Sequence, residues 1–207
     1  MMTQFDEKRY GLVTASRCSP LVPKRDAKAG MITLAKQLAQ EKFFRFRDDN
    51  SGTWQTEHGN LGEEFALSHY HQYYDAEIKK GRFIFNGEIG GTTDAETLTY
   101  GVDFKCPTSL EKWLDYIYEG IDSAQYNQCQ LYMRLTGFDN WKIGAFLLET
   151  TRMSDNGDVY PIAYEKRMVI IDVKADKEWN EKFDSNLPEV IRMRDEYFET
   201  LKQKFSK

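Results

Sequence analysis

The sequence predicts an α/β or α+β fold in which helices flank a mixed central β-sheet, and three observations support this prediction. Hydrophobic residues make up 41% of the 207 residues and charged residues 29%, which is typical of a globular chain. Segments with apolar residues at helical spacing are interspersed with segments of strand-like alternation. No repeat or low-complexity linker divides the chain, so its length predicts one domain over residues 1–207.

The elements can be assigned in chain order. Near the N-terminus, Thr14 and Ser16 are candidate helix caps. The patterns predict helices over 31–47 and 57–74, a meander of strands over 82–106, a helical region over 109–136, strands over 141–150 and 168–173, and a C-terminal helix over 176–205. In the second helix, Leu61, Phe65 and Tyr73 fall near one face. Pro188 predicts a break in the last helix.

Composition and charge narrow the function classes. The formal net charge of −5 makes a nucleic-acid partner less expected without excluding one, because a basic channel only has to outweigh its own surroundings. The three cysteines, Cys18, Cys106 and Cys129, are widely spaced, which argues against a disulfide framework and against zinc or iron–sulfur sites. No apolar run approaches the roughly 18 residues of a membrane span. We therefore expect a soluble, intracellular protein with reduced thiols and no membrane association.

The segment from Gly91 to Pro107 carries the most informative chemistry. Apolar residues alternate with Asp103 and Lys105, so the acid and the amine would share one face of a strand. Asp94 lies nine residues earlier, across a turn, and two carboxylates brought together there would repel unless a cation lay between them. Oxygen ligands favour Mg²⁺ or Mn²⁺, and the amine could orient or deprotonate a water. The alternative is a solvated strand face with an ordinary Asp/Lys pair.

Two helical segments offer further polar side chains. Glu63 could supply a third carboxylate, although a solvated helix face would look the same. The amides of Gln125, Gln128 and Gln130 could bind phosphates or a catalytic water, although glutamines are common on exposed helix faces.

Taken together, these segments resemble a known family. They read Arg9-x-Gly11-x-x-Thr14-Ala15-Ser16, Gly59-x-x-x-Glu63-x-x-Ala66, Thr93-Asp94, Gly101-Val102-Asp103-Phe104-Lys105-Cys106-Pro107 and Tyr126-x-Gln128-x-Gln130-x-Tyr132-Met133. In this order and spacing they resemble the YqaJ-type viral recombinase (phage lambda exonuclease) family, which belongs to the PD-(D/E)xK restriction-endonuclease-like superfamily. Two positions depart from the family pattern. Thr93 replaces proline, which we expect to alter only the backbone of the turn. Asp103 replaces glutamate, and its shorter side chain could reduce activity or change the metal preference.

The resemblance implies roles for individual residues. Asp94, Asp103 and the main-chain carbonyl of Phe104 would bind Mg²⁺, with Mn²⁺ able to substitute, and Lys105 would activate the attacking water. Glu63 would bind a second ion or a metal-bound water. Gln128 would position the water or the phosphate.

The resemblance also implies a pocket for a 5′-terminal phosphate formed by Arg9 and Ser16, with Thr92 assisting. An arginine fork beside hydroxyl groups is a suitable anion site. Arg45 and Arg47 are candidate DNA contacts, the alternative being a charged helix end.

The resemblance implies a 5′-to-3′ exonuclease that degrades one strand of double-stranded DNA from its end and leaves a 3′ overhang for recombination. It also implies a ring-shaped homotrimer with basic residues on its channel wall, a single-strand annealing protein as partner, and phage or prophage origin, hence the cytoplasm of a bacterial host. Three alternatives stay open. They are a structure-specific endonuclease, a CRISPR-associated exonuclease, against which the scattered cysteines argue, and a non-catalytic DNA-binding or inhibitory module.

Overall fold

Five α-helices and eight β-strands form the part of the chain that the computed structural model describes, which is residues 9–23, 25, 28–46, 54–149 and 160–205. The helices are α1 (Lys28–Phe44), α2 (Trp54–Tyr73), α3 (Leu110–Tyr118), α4 (Ser123–Thr136) and α5 (Lys177–Phe205). The strands are β1 (Val13–Thr14), β2 (Lys79–Lys80), β3 (Phe83–Asn86), β4 (Ile89–Thr92), β5 (Ala95–Glu96), β6 (Gly101–Lys105), β7 (Asn140–Phe146) and β8 (Met168–Lys174).

The strands form two mixed sheets. The larger sheet has the order β2-β5-β6-β7-β8, in which β6 and β7 pair in parallel and the other neighbours are antiparallel. The smaller sheet has the order β1-β4-β3, with β1 and β4 parallel and β3 antiparallel to β4. Helices flanking mixed sheets confirm the fold class predicted from the sequence.

Helices cover both faces of the larger sheet. On one face, α1, α4 and α5 bury a core against alternate residues of β7, including Trp141 and Ile143. On the opposite face, α2 packs its Ala66 and Tyr70 against Val102 and Phe104 of β6. Because side chains alternate along a strand, Asp103 and Lys105 face away from α2. This alternation determines where the polar residues of β6 point.

Two details of the predicted helices are wrong, and one predicted helical region consists of two helices. The C-terminal helix runs without a break through Pro188, because the buried side chains of Phe183 and Val190 on either side hold both halves against the core. The region over 109–136 is two helices, separated by Gly120, whose φ of 80° is in the left-handed region. Thr14 precedes only a short 3₁₀ turn, and its side chain makes no capping hydrogen bond there.

The apolar face read on α2 is not the buried one. Leu61, Phe65 and Tyr73 are all exposed, whereas Ala66 and Tyr70 are buried. The sheet therefore receives the side of this helix that carries Ala66 and Tyr70, and Gly62 allows close contact between α2 and Cys106 at the end of β6. Nothing in the described residues tests the single-domain boundary 1–207, which stays a prediction. No helix in the described ranges has both the length and the apolar character of a membrane span.

Candidate active site

Asp103 and Lys105 project from the same face of β6, in the middle of the larger sheet. The Asp103 side chain is only 1% exposed, and its Oδ2 lies 2.5 Å from the Lys105 Nζ. The apolar neighbours Val102 and Phe104 point to the opposite face, into the core under α2. The alternation read in the sequence thus places the acid beside the amine, in a buried ion pair rather than on a solvated strand face.

Asp94 lies in the turn between β4 and β5, opposite Asp103. The adjacent pair Ala95 and Val102 is in register, and the Asp94 Oδ2 accepts a hydrogen bond of 2.7 Å from the backbone N–H of Phe104. Burial raises the pKa of Asp94 well above its ordinary value, and the negative charge of Asp103 adds to the rise. Two carboxylates that share a buried site are costly to ionise together, which favours a cation between them.

Glu63 approaches this pair from α2, at the end of β6. Burial, followed by the charge of Asp103, raises the pKa of Glu63, while the cations Lys105 and Lys80 oppose the rise. The approach depends on Gly62, because a Cβ at that position would lie 2.4 Å from the Cys106 Sγ. Gly62, next to Glu63 in the helix, therefore allows Glu63 to reach the acidic site.

The donor set is suited to a hard divalent cation. Its candidate ligands are carboxylate oxygens, which Mg²⁺ and Mn²⁺ prefer, and the buried Oδ2 of Asp103 has no well-aligned hydrogen bond, only the ion pair with Lys105. In the part of the chain that the structure describes, no three His, Cys, Asp or Glu side chains are already arranged as a metal site. Asp94 and Asp103 fit as ligands, with Glu63 as a third carboxylate close enough to be influenced by the charge of Asp103. The Phe104 carbonyl as a ligand stays a prediction.

Gln128 of α4 connects the acid and the amine. Its side-chain N–H donates to the Asp103 Oδ1 at 3.3 Å, and its Oε1 accepts from the Lys105 Nζ at 3.4 Å. The same amide nitrogen donates to the Tyr132 hydroxyl at 3.0 Å, which in turn donates to the Thr92 carbonyl at 2.6 Å. Tyr132 was not identified from the sequence as a site residue, although its spacing of four residues from Gln128 on a helix places both on one face.

The other two glutamines of α4 have structural roles, so the hypothesis that they bind phosphate or water is wrong. Gln125 completes a capping box with Asp122 at the start of the helix. Gln130 is buried, donates to the Lys174 carbonyl at 2.7 Å and accepts from the Asp176 N–H at 2.9 Å. Of the three amides, the structure places that of Gln128 in the acidic site.

The residues expected to bind a 5′-phosphate lie at the smaller sheet, beside the acidic site. Ser16 follows β1 and Thr92 ends β4, and these strands pair in parallel, so the two exposed hydroxyl groups lie at the same end. The Arg9 guanidinium lies 5.5 Å from the ring centre of Phe83, which pairs with Thr92 across β3 and β4. The phosphate-binding role of these residues stays a prediction.

Thr93 does more than alter the backbone of the turn, so that expectation is wrong. Its buried hydroxyl donates to the Glu96 carboxylate at 2.5 Å and accepts from the Arg82 N–H at 3.1 Å. Thr93 also donates its backbone N–H to the Arg82 carbonyl at 3.1 Å. The side chain fixes the turn that carries Asp94.

Three other polar side chains, those of Arg45, His69 and Cys106, add no ligand to the acidic cluster. Arg45 is exposed just after α1 with a φ of 49°, and Arg47 is outside the described residues. His69 is buried and lies 2.8 Å from the Tyr164 carbonyl; burial lowers its pKa. Burial raises the pKa of Cys106 to about 12, so this thiol is neutral and a poor metal ligand.

Comparisons with known proteins agree with this architecture. The model of the YqaJ-like viral recombinase domain matches residues 4–139. The alkaline exonuclease LHK-Exo from Laribacter hongkongensis superimposes with a TM-score of 0.76 at 17% identity, covering 99% of this chain and 98% of that one. Its complex with dAMP gives a TM-score of 0.75 at 17% identity, covering 98% and 97%.

A phage-related exonuclease from Haemophilus somnus 129PT has a TM-score of 0.73 at 21% identity, covering 97% of this chain and 99% of that one. A comparison with curated proteins finds no match. The structural likenesses confirm the restriction-endonuclease-like fold, and the family model spans well over half of the sequence. The chain therefore belongs to the YqaJ-like viral recombinase family.

Proposed function

We propose that this protein is a DNA exonuclease that uses Mg²⁺ to hydrolyse one strand of double-stranded DNA from its 5′ end and leaves a 3′ single-stranded overhang. The observation that carries the proposal is the network in which Gln128 contacts both Asp103 and Lys105, directly opposite Asp94. Paired carboxylates beside an ammonium and an amide form the donor set of a metal-dependent phosphodiesterase. Membership of a viral recombinase family supports the assignment to DNA.

Each side chain has a separate task in the reaction. Asp94 and Asp103 would hold the divalent cation, with the Phe104 carbonyl and Glu63 completing the set. Once bound, the cation would act as a Lewis acid that stabilises the charge developing on the scissile phosphate.

Lys105 and Gln128 then act on the water and the phosphate. Burial opposes protonation of Lys105, but the charge of Asp103 outweighs it and raises the pKa of the amine, so the ammonium donates hydrogen bonds and supplies positive charge. Gln128 offers one amide to both groups at once, which holds the donor atoms in place before substrate binds. Deprotonation of the attacking water by Lys105 stays a prediction.

The position of the candidate phosphate pocket supports cleavage at strand ends. Asp94 follows Thr92 by two residues, so their α carbons are at most about 7 Å apart, comparable to the spacing of neighbouring phosphates on a DNA strand. A 5′-phosphate held by Arg9, Ser16 and Thr92 would therefore put the next phosphate at the carboxylates, and a mononucleotide would be released. The structure of LHK-Exo with dAMP shows that this relative binds a mononucleotide.

The biological setting belongs to the same proposal. A viral recombinase would act in the cytoplasm of a bacterial host, with a single-strand annealing protein that coats the 3′ overhang. A homotrimeric ring around the duplex would keep the enzyme on its substrate. Sedimentation of the purified protein with and without duplex DNA tests the trimer.

The activity can be tested with a linear duplex labelled at either the 5′ or the 3′ end, in Mg²⁺, in Mn²⁺ and with chelator. We expect stepwise release of the 5′ label that requires the divalent cation. Lys105→Ala should lower the rate by about 10²-fold or more, as the loss of a group that stabilises the transition state does. Lys177→Ala, which changes a highly exposed lysine on α5, serves as the matched control. Nicking of a closed circle at a similar rate, or cleavage that persists in chelator, would contradict the proposal.

A further inference from the structure

A short segment beside the acidic site combines positive charge with aromatic rings. The segment Lys79–Asn86, which we name the basic-aromatic strip, reads Lys-Lys-Gly-Arg-Phe-Ile-Phe-Asn. It contains three cations and no acid, in a chain whose formal net charge is −5. The strip comprises β2 and β3 and the turn between them.

The strip runs antiparallel to the chain segment that carries the candidate site residues. Gly81 donates its N–H to the Asp94 carbonyl at 2.8 Å, and the Thr93 N–H donates to the Arg82 carbonyl at 3.1 Å. At Gly81 a Cβ would lie 2.1 Å from the Thr93 carbonyl oxygen, so the backbones are in direct contact there. Farther along, Phe83 pairs with Thr92. The strip is therefore fixed along the line from the carboxylates to the phosphate pocket.

The cations of the strip lie at the carboxylate end. The Arg82 side chain is 77% exposed, and its Nε is 3.8 Å from the Glu96 carboxylate, a loose surface ion pair that contributes little. Lys79 and Lys80 are also exposed. The charge of Lys80 is close enough to Glu63 to oppose the rise in the pKa of that carboxyl. Positive charge at this end is available to a phosphate backbone.

The aromatic rings lie at the other end. The Phe83 and Phe85 rings share one face of β3, with centroids 6.0 Å apart and planes inclined by 18°. Phe85 is 49% exposed on an edge strand, where a large apolar side chain is usually avoided. Phe83 lies under the Arg9 guanidinium. A row of rings next to cations is the combination that binds single-stranded nucleic acid by base stacking.

The order of residues along the strip identifies the strand that reaches these rings. Asp94 lies at the scissile phosphate in the proposed function, Thr92 at the 5′-phosphate, and Phe85 pairs with Gly90, two residues beyond Thr92. The cut strand ends at its 5′-phosphate, so the nucleic acid that continues past Thr92 is the uncut strand. That strand is single-stranded there, because its partner has been removed.

We propose that the basic-aromatic strip binds the DNA beside the cut, with Phe85 stacking on a base of the 3′ overhang that the enzyme produces and Arg82, at the carboxylate end, contacting a backbone phosphate of the adjoining duplex. The inference rests on the proposed function, since the overhang exists only if cleavage begins at 5′ ends. Basic residues are expected from the sequence to line the DNA channel, and the strip is a specific place for some of them. Binding there would keep the enzyme on DNA between successive cuts.

Affinity measurements in chelator test the strip without cleavage, using labelled blunt duplex and the same duplex with a 3′ overhang. We expect wild type to prefer the overhang substrate. Phe85→Ala should weaken binding of the overhang substrate about fivefold or more, as the loss of one base–aromatic stack does, and leave blunt-duplex binding unchanged. Phe85→Trp should keep the preference. Phe205→Ala, which removes another exposed phenylalanine, is the matched control.

The salt dependence tests the cation. Arg82→Gln should reduce the slope of log K against log salt for both substrates by about 0.9, the value for one phosphate contact on duplex DNA. Arg192→Gln, on the exposed surface of α5, should leave the slope unchanged. Wild-type affinity of Phe85→Ala for the overhang substrate, with an unchanged melting temperature, would overturn the inference. The end-label assay on wild type decides the proposed function separately.

Discussion

The contact between α2 and β6 at Gly62 predicts that one methyl group controls both stability and activity. In Gly62→Ala the new Cβ would lie 2.4 Å from the Cys106 Sγ and 2.5 Å from its Cβ, whereas ordinary contacts begin at 3.4 Å. The backbones must therefore separate by about 1 Å, since a Cβ is not the flexible end of a side chain. Overpacking of this kind costs about 1–3 kcal/mol, and the helix propensity of alanine returns about 1 kcal/mol.

The same displacement moves Glu63, the next residue on the helix. A misplacement of about 1 Å at a reacting centre can reduce a rate by about 10²-fold, so we expect kcat to fall by one to two orders of magnitude. The measurements are urea unfolding and single-turnover cleavage of a 5′-labelled duplex over a range of Mg²⁺ concentrations. A rate that needs a higher Mg²⁺ concentration than in wild type would locate the defect at the carboxylates.

Two further variants make this prediction decisive. Gly59→Ala, on the same helix, has no atom within 4 Å of the added Cβ and should gain about 0.5–1 kcal/mol of stability. Adding Cys106→Gly to Gly62→Ala removes both crowding atoms and should restore part of the lost stability, a favourable coupling of about 1–3 kcal/mol in a double-mutant cycle. Zero coupling, or a Gly62→Ala protein as stable and as active as wild type, would refute the reasoning.

Three further predictions follow from the contacts of the site and the core. Tyr132→Phe removes the hydroxyl that orients Gln128 while keeping the ring. We expect kcat to fall about tenfold, the equivalent of roughly 1.4 kcal/mol, with little change in melting temperature. A wild-type rate would show that the Gln128 amide needs no support from this hydroxyl. Thr93→Pro removes the backbone and hydroxyl bonds to Arg82 and should cost about 2–3 kcal/mol in urea unfolding, whereas a gain in stability would mean that the family's proline suits this turn. His69 has a pKa below its ordinary value of 6.5 because it is buried, so the folded state favours the neutral ring. Stability is then full above about pH 6.5 and falls as the pH decreases below it, and melting temperatures between pH 5.5 and 7.5 should show a smaller fall for His69→Gln than for wild type.

Short-range periodicity predicted the centre of the site well. Alternation along β6 placed Asp103 beside Lys105, because a strand has a period of two regardless of its surroundings. The hairpin distance from Asp94 also predicted its position opposite β6. Both relations involve only residues that are close in the sequence, so they can be predicted without knowledge of the tertiary structure.

The helix α4 shows where short-range reading ends. Gln125, Gln128 and Gln130 looked equivalent as amides, but Gln125 lies at the start of the helix and Gln130 on another side from Gln128, and only tertiary packing decides which side meets β6. One of them could have been assigned from the sequence. Asp122 followed three residues later by Gln125 is the pattern of a capping box, which explains that glutamine without a ligand.

Other errors arose where tertiary contacts overrode local preference. Pro188 lacks the N–H that a helix needs, yet burial of its neighbours outweighs that loss. The apolar residues of α2 predicted the wrong buried face, because the side with Gly62, Ala66 and Tyr70 packs against β6 and its end, which leaves Leu61 and Phe65 at the surface. The hydrogen bonds of the Thr93 hydroxyl were not predicted, because its partners Arg82 and Glu96 lie far away in the sequence or across the turn.

The acidic net charge of the protein is consistent with DNA binding because the charges are separated in space. Three carboxylates, at positions 63, 94 and 103, face one ammonium in the site, and burial, together with their mutual repulsion, raises the pKa values of Asp94 and Glu63. Without a divalent cation this cluster would repel the scissile phosphate, so the cation that supports hydrolysis also favours placing that phosphate at the carboxylates. The basic-aromatic strip has the opposite sign a few residues away and needs no metal to attract DNA. The two surfaces have different functions: the strip binds the uncut strand, and the carboxylates act on the strand that is hydrolysed.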